Sequence, residues 1–282
     1  MMAEVWKTIS RRSKNGWMQI LMKARSGSIL AFLILTQCGI KVLSLLIVNI
    51  DNVPPAQYDT VFKAASVDTL SFAPESSPLQ ASSWPTLGSM IDSGKRLVTF
   101  LDNQADITVV PYLIDEFTNI WETAFNVLDP AQFDCSVNRT KGDTATQMYL
   151  INHFLDRLVF GQPVPDVAKA NVTNAASGAG SLGAHVETCV AVNTRAPNFL
   201  LMDFYEYGSG SVFQVAADIN KVTYAPTSPI ATPLSTSTGA ASPTGSSKDG
   251  SGNGALSISS RQHLLQSLVV VASIAFGASA VI

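Results

Sequence analysis

The chain has 282 residues, enough for one or two domains, with 46% hydrophobic and 14% charged residues and a net charge of −3. The charge is uneven: residues 1–41 hold seven basic side chains against one acid, Glu4, so the rest of the chain is acidic. That rest lacks the basic face that nucleic-acid phosphates require, which excludes a nucleic-acid partner.

Residues 1–27 are basic and polar, and residues 29–50 are apolar apart from Lys41 and a few small polar side chains. A positive flank before an apolar run resembles a signal peptide or signal anchor. No small-x-small cleavage site precedes the next element, which leaves a second reading of the run as a leader over 1–41 followed by a buried strand over 42–50. An alternative keeps 29–50 whole as a membrane anchor with residues 1–27 on the cytoplasmic side. The strand stops at Asp51, Asn52 and Pro54-Pro55, and residues 56–65 follow with helical spacing. "TLGSMIDSG" predicts a short helix stopped by Gly94. "RLVTFLD" predicts a strand ending at Asp102. "VVPYLIDEFTNIWETAF" predicts an amphipathic helix with Leu113, Phe117, Ile120 and Trp121 on one face. "MYLINHF" predicts a strand, "SLGAHVETCVAV" a helix, "FLLMDFY" a strand and "VFQVAADI" a closing helix.

Buried strands without alternation, each followed by a helix, signify a parallel sheet covered by helices. The fold class is therefore α/β, with about four βα units over residues 42–224. In a (β/α)8 barrel, functional residues gather where strands end. The candidate mouth residues here are Asp51, Asp102, His153, Asp203 and Tyr205, with Asn49, Asn103 and Asn152 beside them. Each has a plainer reading. Asp102-Asn103 suits a turn, and His153 suits a satisfied core position. Asp203 differs, because aromatics rather than turn formers follow it. Four units make only half of such a barrel, whose full size is roughly 250 residues. An open half barrel would expose the edge of the strand over 42–50, and poor solubility or pairing of that edge with a leader helix is expected.

Three cysteines occur, Cys38, Cys135 and Cys189. They allow a Cys135–Cys189 disulfide with Cys38 left over, or reduced, buried thiols. Asn138 and Asn171 open two N-glycosylation triplets, which favour the secretory route and so the disulfide. Residues 225–255 are rich in Ser, Thr, Pro and Gly and read as a disordered, O-glycosylated stalk. Residues 256–282 pass from a short polar stretch into an apolar tail. Small residues, a polar spacer and a terminal apolar tail form a GPI-attachment signal, with Asn253 as attachment residue and Gly252 or Ser251 as alternatives. The other reading is a plain C-terminal membrane anchor. Either places the protein at the cell surface, on the plasma membrane or cell wall.

The phrases "SSWPTLGSMIDSGKRLVTFLDNQAD", "YLIDEFTNIWETAFN", "MYLINHFLD" and "PNFLLMDFYEYGSGSVFQVAADIN" resemble the fungal secreted PLC-like phosphodiesterases, relatives of the phosphatidylinositol-specific phospholipase C X domain. The resemblance covers residues 42–224 and implies a partial TIM-type barrel. It implies acid–base cleavage of a phosphodiester, an inositol-lipid or related substrate, no assigned cofactor and an open question about calcium. Family chemistry uses one histidine as general base and a second as general acid, with a late-strand aspartate orienting the first. Asp203 is similar to that aspartate. Both family histidines lie on strands upstream of the matching segment. His153 and His185 match neither of them, and His263 lies in the tail. The resemblance therefore implies a hydrolase family and impaired turnover in this chain. The alternative is a non-catalytic, GPI-anchored surface glycoprotein or a truncated gene product.

Overall fold

A computed structural model describes residues 19–22, 29–33 and 42–226, the first two segments by their backbone. Cys38, His263, the stalk beyond residue 226, Asn253 and the apolar tail lie outside the described residues.

In chain order the strands are β1 (Gln19–Met22), β2 (Ile29–Leu33), β3 (Leu43–Ile47), β4 (Leu97–Leu101), β5 (Leu113–Asp115), β6 (Ile120–Glu122), β7 (Met148–Asn152), β8 (Asp156–Val159), β9 (Gln162–Pro165) and β10 (Phe199–Met202). The α-helices are α1 (Pro55–Ala64), α2 (Leu87–Asp92), α3 (Glu116–Asn119), α4 (Ala170–Thr173), α5 (Leu182–Asn193) and α6 (Ser211–Ile219). Their starts follow local chemistry. Pro55 begins α1, the Thr86 hydroxyl caps α2 and the Ser181 hydroxyl caps α5, while Gly94, with φ 77°, closes the turn after α2.

Eight strands form one sheet in the order β5-β4-β3-β2-β1-β10-β7-β6, and β8 and β9 make a separate hairpin. Seven of the eight run one way. β2 alone is antiparallel to its neighbours β1 and β3. β4, β6, β7 and β10 are buried on both faces, which is why they carry no alternation of apolar and polar residues. Leu46, Val98, Phe100, Met148, Leu150, Phe199 and Leu201 face one core. Tyr149, Ile151, Leu200 and Met202 face the opposite way, onto Leu182 and Val186 of α5 and Val212 and Val215 of α6.

The sheet is curled. Phe100 of β4 and Phe199 of β10 stand edge to face with ring centroids 6.0 Å apart. Four strand spacings separate those strands, about 19 Å in a flat sheet. The two end strands, β5 and β6, are also joined through the four residues of α3. That link spans at most about 20 Å, whereas a flat eight-stranded sheet is about 34 Å wide. Among the described residues no β5–β6 ladder closes the ring.

Two findings depart from the sequence reading. Residues 109–125 are not one amphipathic helix but strand, single turn and strand. Asn119, Ile120, Trp121, Glu122 and Thr123 are consecutive and all at most 2% exposed, which no one-faced helix allows. Short buried strands around one turn reproduce a three-to-four spacing of apolar residues, so periodicity alone does not separate the two. The turn is fixed by the Asp115 carboxylate, which accepts from Thr118 N–H at 2.8 Å, and by Asn119, whose carboxamide donates to Asp115 O at 2.8 Å and accepts from Leu79 N–H at 2.9 Å. The second finding is that β1 and β2 fall within the stretch read as leader. β2 covers the edge of β3 in a five-residue antiparallel register, from Ile29↔Ile47 to Leu33↔Leu43. Among the described residues no helix is long and apolar enough to cross a membrane.

Candidate functional site

The co-directional strands bring their C-terminal ends to one mouth. Asn49 follows β3 and Asp102 follows β4. Glu116 follows β5 and Glu122 closes β6. Asn152 closes β7, with His153 after it, and Asp203 follows β10. The rule that singled out Asp102, His153 and Asp203 thus also reaches Glu116 and Glu122. They escaped notice because their segment was read as a helix.

Around β3 and β4 the mouth is a closed hydrogen-bonded turn. The Asp102 carboxylate accepts from Asn49 N–H at 2.8 Å and from the Asn103 carboxamide at 3.1 Å. Asn49 donates to Val53 O at 3.0 Å and accepts from Val53 N–H at 2.8 Å and from the Tyr58 hydroxyl at 2.9 Å. Asp51 is exposed on the same turn. Burial raises the Tyr58 phenol pKa, with the charges of Asp102 and Asp51 adding to it.

Between β5 and β7 lies a buried acid pair. Glu116 and Glu122 are each 1% exposed. Arg139 grips Glu122 Oε2 with two nitrogens, Nε at 3.0 Å and Nη2, and its guanidinium lies over Phe125 at 4.3 Å and Phe117 at 4.9 Å. Asn152 donates to the same oxygen at 3.3 Å and to Thr123 O at 2.9 Å. With both acids ionised, Oε1 of each would be buried without a donor. Burial raises the Glu116 pKa well above the carboxylate range, and the charge of Glu122 and a hydrogen bond to it add to the rise. A proton on Glu116 would remove the buried like-charge contact with Glu122. Glu116 faces a small cavity shared with Ser44, Phe100, Leu150 and Phe199.

The third cluster joins β7 to β10. His153 is fully buried, and its Nδ1 lies 2.9 Å from Nδ1 of His185 on α5. His153 Nε2 meets Thr173 O at 2.8 Å, and His185 Nε2 meets Asp134 O at 2.8 Å. Phe133 packs on both rings, at 4.2 and 5.3 Å. A disulfide joins Cys135 to Cys189, one turn beyond His185 on α5. Burial, then the neighbouring imidazole, pushes His153 to about 3, and burial lowers His185. Asp203 is buried at 7%. Asn174 fixes the chain around it, donating to Asp203 O at 2.9 Å and to Phe204 O at 2.8 Å. Phe204 takes a left-handed φ of 54°, a costly conformation for an aromatic residue.

The mouth thus assembles Asp102, His153 and Asp203 and leaves Asp51 and Tyr205 aside. Tyr205 packs against Phe213 of α6 at 6.0 Å, on the helix side of the sheet. Both ring nitrogens of His153 are engaged away from Asp203, so His153 is not an imidazole that Asp203 orients. Asn138 and Asn171 are exposed. Asn138 N–H donates to Glu122 O at 2.8 Å, and the Asn171 carboxamide oxygen accepts from Gly208 N–H at 3.0 Å.

Two curated relatives from Arthroderma benhamiae are similar to this chain. An uncharacterized secreted protein is 41% identical over 193 residues, covering 65% of this chain and 43% of that protein. A PI-PLC X domain-containing protein 1 is 42% identical over 170 residues, covering 60% of this chain and 55% of that protein. The chain spans about half the length of the curated relatives it matches. No solved structure matches. The family described as PI-PLC X 1 matches residues 30–220, a span running from β2 to the end of α6 and including every cluster of the mouth, and the chain belongs to that family.

Proposed function

We propose that residues 30–220 form part of a TIM-type barrel of the phosphoric diester hydrolase superfamily, whose mouth receives a phosphodiester such as an inositol phospholipid. The family match supports the superfamily. Asp203 is the residue that would orient a general-base imidazole, and turnover by this chain alone is impaired. One observation carries that reading: all four ring nitrogens of His153 and His185 are held by each other and by backbone carbonyls. Neither imidazole is presented to a substrate, so among the described residues no histidine is placed for general acid–base work.

The secretory route is supported by the printed name of one relative, a secreted protein, and by the Cys135–Cys189 disulfide, which persists in oxidising compartments. We extend this to a cell-surface glycoprotein, carrying glycans at the exposed Asn138 and Asn171 and held by a GPI anchor attached at Asn253. We assign no cofactor to the mouth.

The test is cleavage of phosphatidylinositol vesicles by the purified chain, with and without calcium, beside the Asp203→Ala variant. Background cleavage by both is expected. Robust cleavage abolished by Asp203→Ala overturns the impaired reading and keeps the hydrolase. Vesicle binding without turnover favours the non-catalytic surface protein.

A further inference from the structure

A carbonyl oxygen can only accept, so the 2.8 Å contacts to Thr173 O and Asp134 O each require a proton on Nε2. That assignment leaves the Nδ1 atoms of both neutral rings as bare lone pairs. They nevertheless face each other at 2.9 Å inside the protein. Two acceptors at that distance repel. One proton between them turns the contact into a charge-assisted hydrogen bond. We propose that His153 and His185 share a single proton between their Nδ1 atoms, making a buried singly charged imidazole pair that positions the β10 end of the mouth.

One charge is the most the surroundings admit. Burial disfavours a charge on either ring, and the 2.9 Å contact between two bare Nδ1 lone pairs is what sets a first proton against it. Asp134 lies beside His185 and favours a cation there. The neighbouring ring opposes a second proton on His153. Such a pair titrates as one unit. From α4 the pair meets the Thr173 carbonyl and uncharged Asn174. Phe133 packs on the rings, and the disulfide-bonded Cys135 and Cys189 do not titrate. Glu187 is exposed on α5, and Asp203 ends the strand paired with that of His153.

Position is transmitted through short links. His153 N–H donates to Leu201 O at 2.7 Å, and its ring holds Thr173. The next residue, Asn174, holds the carbonyls of Asp203 and Phe204 and accepts from the Ser211 hydroxyl at 2.6 Å. His185 ties the same assembly to Asp134, beside the disulfide. Loss of the shared proton forces the rings apart and releases this chain of contacts at its centre. The inference stands whether or not the mouth hydrolyses a phosphodiester.

Nitrogen-15 NMR of the histidine-labelled, full-length chain tests it by counting protons. At pH 7 the four ring nitrogens of the pair are expected to carry three: two on Nε2 and one divided between the Nδ1 atoms. The Asn174 carboxamide signals are expected to shift with the same midpoint as the pair when pH is raised. A count of two at pH 7, with both Nδ1 atoms unprotonated, overturns the shared proton. Asn174 signals that ignore the titration overturn the positioning role. Stability gives a second readout, as the difference between the wild-type chain and His185→Gln. Unfolded imidazoles titrate near 6.5. Above that value the folded pair holds one proton that the unfolded chain lacks, so the folded-to-unfolded ratio falls up to tenfold per pH unit. Below it the unfolded chain takes two protons against one, and the ratio falls again. A neutral pair gives no alkaline fall in this difference, and that result overturns the proposal.

Discussion

The two sides of the mouth hold their acids in opposite ways. Asp102 and Glu116 follow adjacent strands in register, with Leu101 paired to Asp115. Asp102 sits in a turn where neighbouring amides meet its carboxylate. Glu116 and Glu122 sit in the interior beside Arg139, and the His153–His185 pair lies farther along the same rim. The β3–β4 side is closed by hydrogen bonds between neighbouring turns. Both sides join residues far apart in sequence, Asn49 to Asp102 at a separation of 53 and His153 to His185 at 32, but the β6–β7–β10 side does so through buried ionisable groups, Arg139 on Glu122 and His153 with His185, and through the Cys135–Cys189 crosslink. A partly exposed carboxylate met by neutral amides can exchange a lost donor for water, whereas a buried charge is stable only while its partner stays in place.

That contrast predicts a graded response to mutation. The largest effect is expected from replacing both disulfide cysteines with serine. Opening a crosslink of this separation lowers unfolding free energy by about 4 kcal/mol, read by denaturant titration. Next is Arg139→Ala, which strands Glu122 beside Glu116 and is expected to cost about 3 kcal/mol in the same titration. If it costs no more than an ordinary surface change, the β6–β7 side does not rest on that ion pair.

Glu116→Gln sharpens the comparison through pH. The folded pKa of Glu116 lies above its ordinary 4.5, so its contribution is full below that value and is lost as pH rises through the folded pKa. Within that window the wild-type chain is expected to lose up to about 1.4 kcal/mol per pH unit relative to Glu116→Gln. Thermal melts across pH check this, and parallel profiles would mean that Glu116 is ionised. The smallest effect is expected from Asp102→Ala, about 1 kcal/mol, because water and the surrounding carboxamides replace the lost acceptor. A loss there as large as that of Arg139→Ala would erase the distinction between the two sides.

Much of the architecture was legible in advance. Apolar runs located β3, β4, β7 and β10, and Gly94 marked the end of α2. These signals are local: a strand buried on both faces must be apolar throughout, and helix ends need caps. The segment from Leu113 to Glu122 was misread because three-residue strands are too short to show their own period. With it went Glu116 and Glu122. Arg139 gave no separate signal, lying inside a glycosylation triplet at the exposed end of a loop.

The sequence by itself determined the layered α/β class, the placing of acids and amides where strands end, and the resemblance in "LLMDFY" that marks Asp203. Only the tertiary structure decided that the sheet curls until β5 and β6 are one turn apart, that Glu116 faces Glu122, and that His153 meets His185. Burial pattern is written residue by residue along the chain. Which two buried polar groups share a proton or a charge depends on the curvature that brings distant strands and helices together.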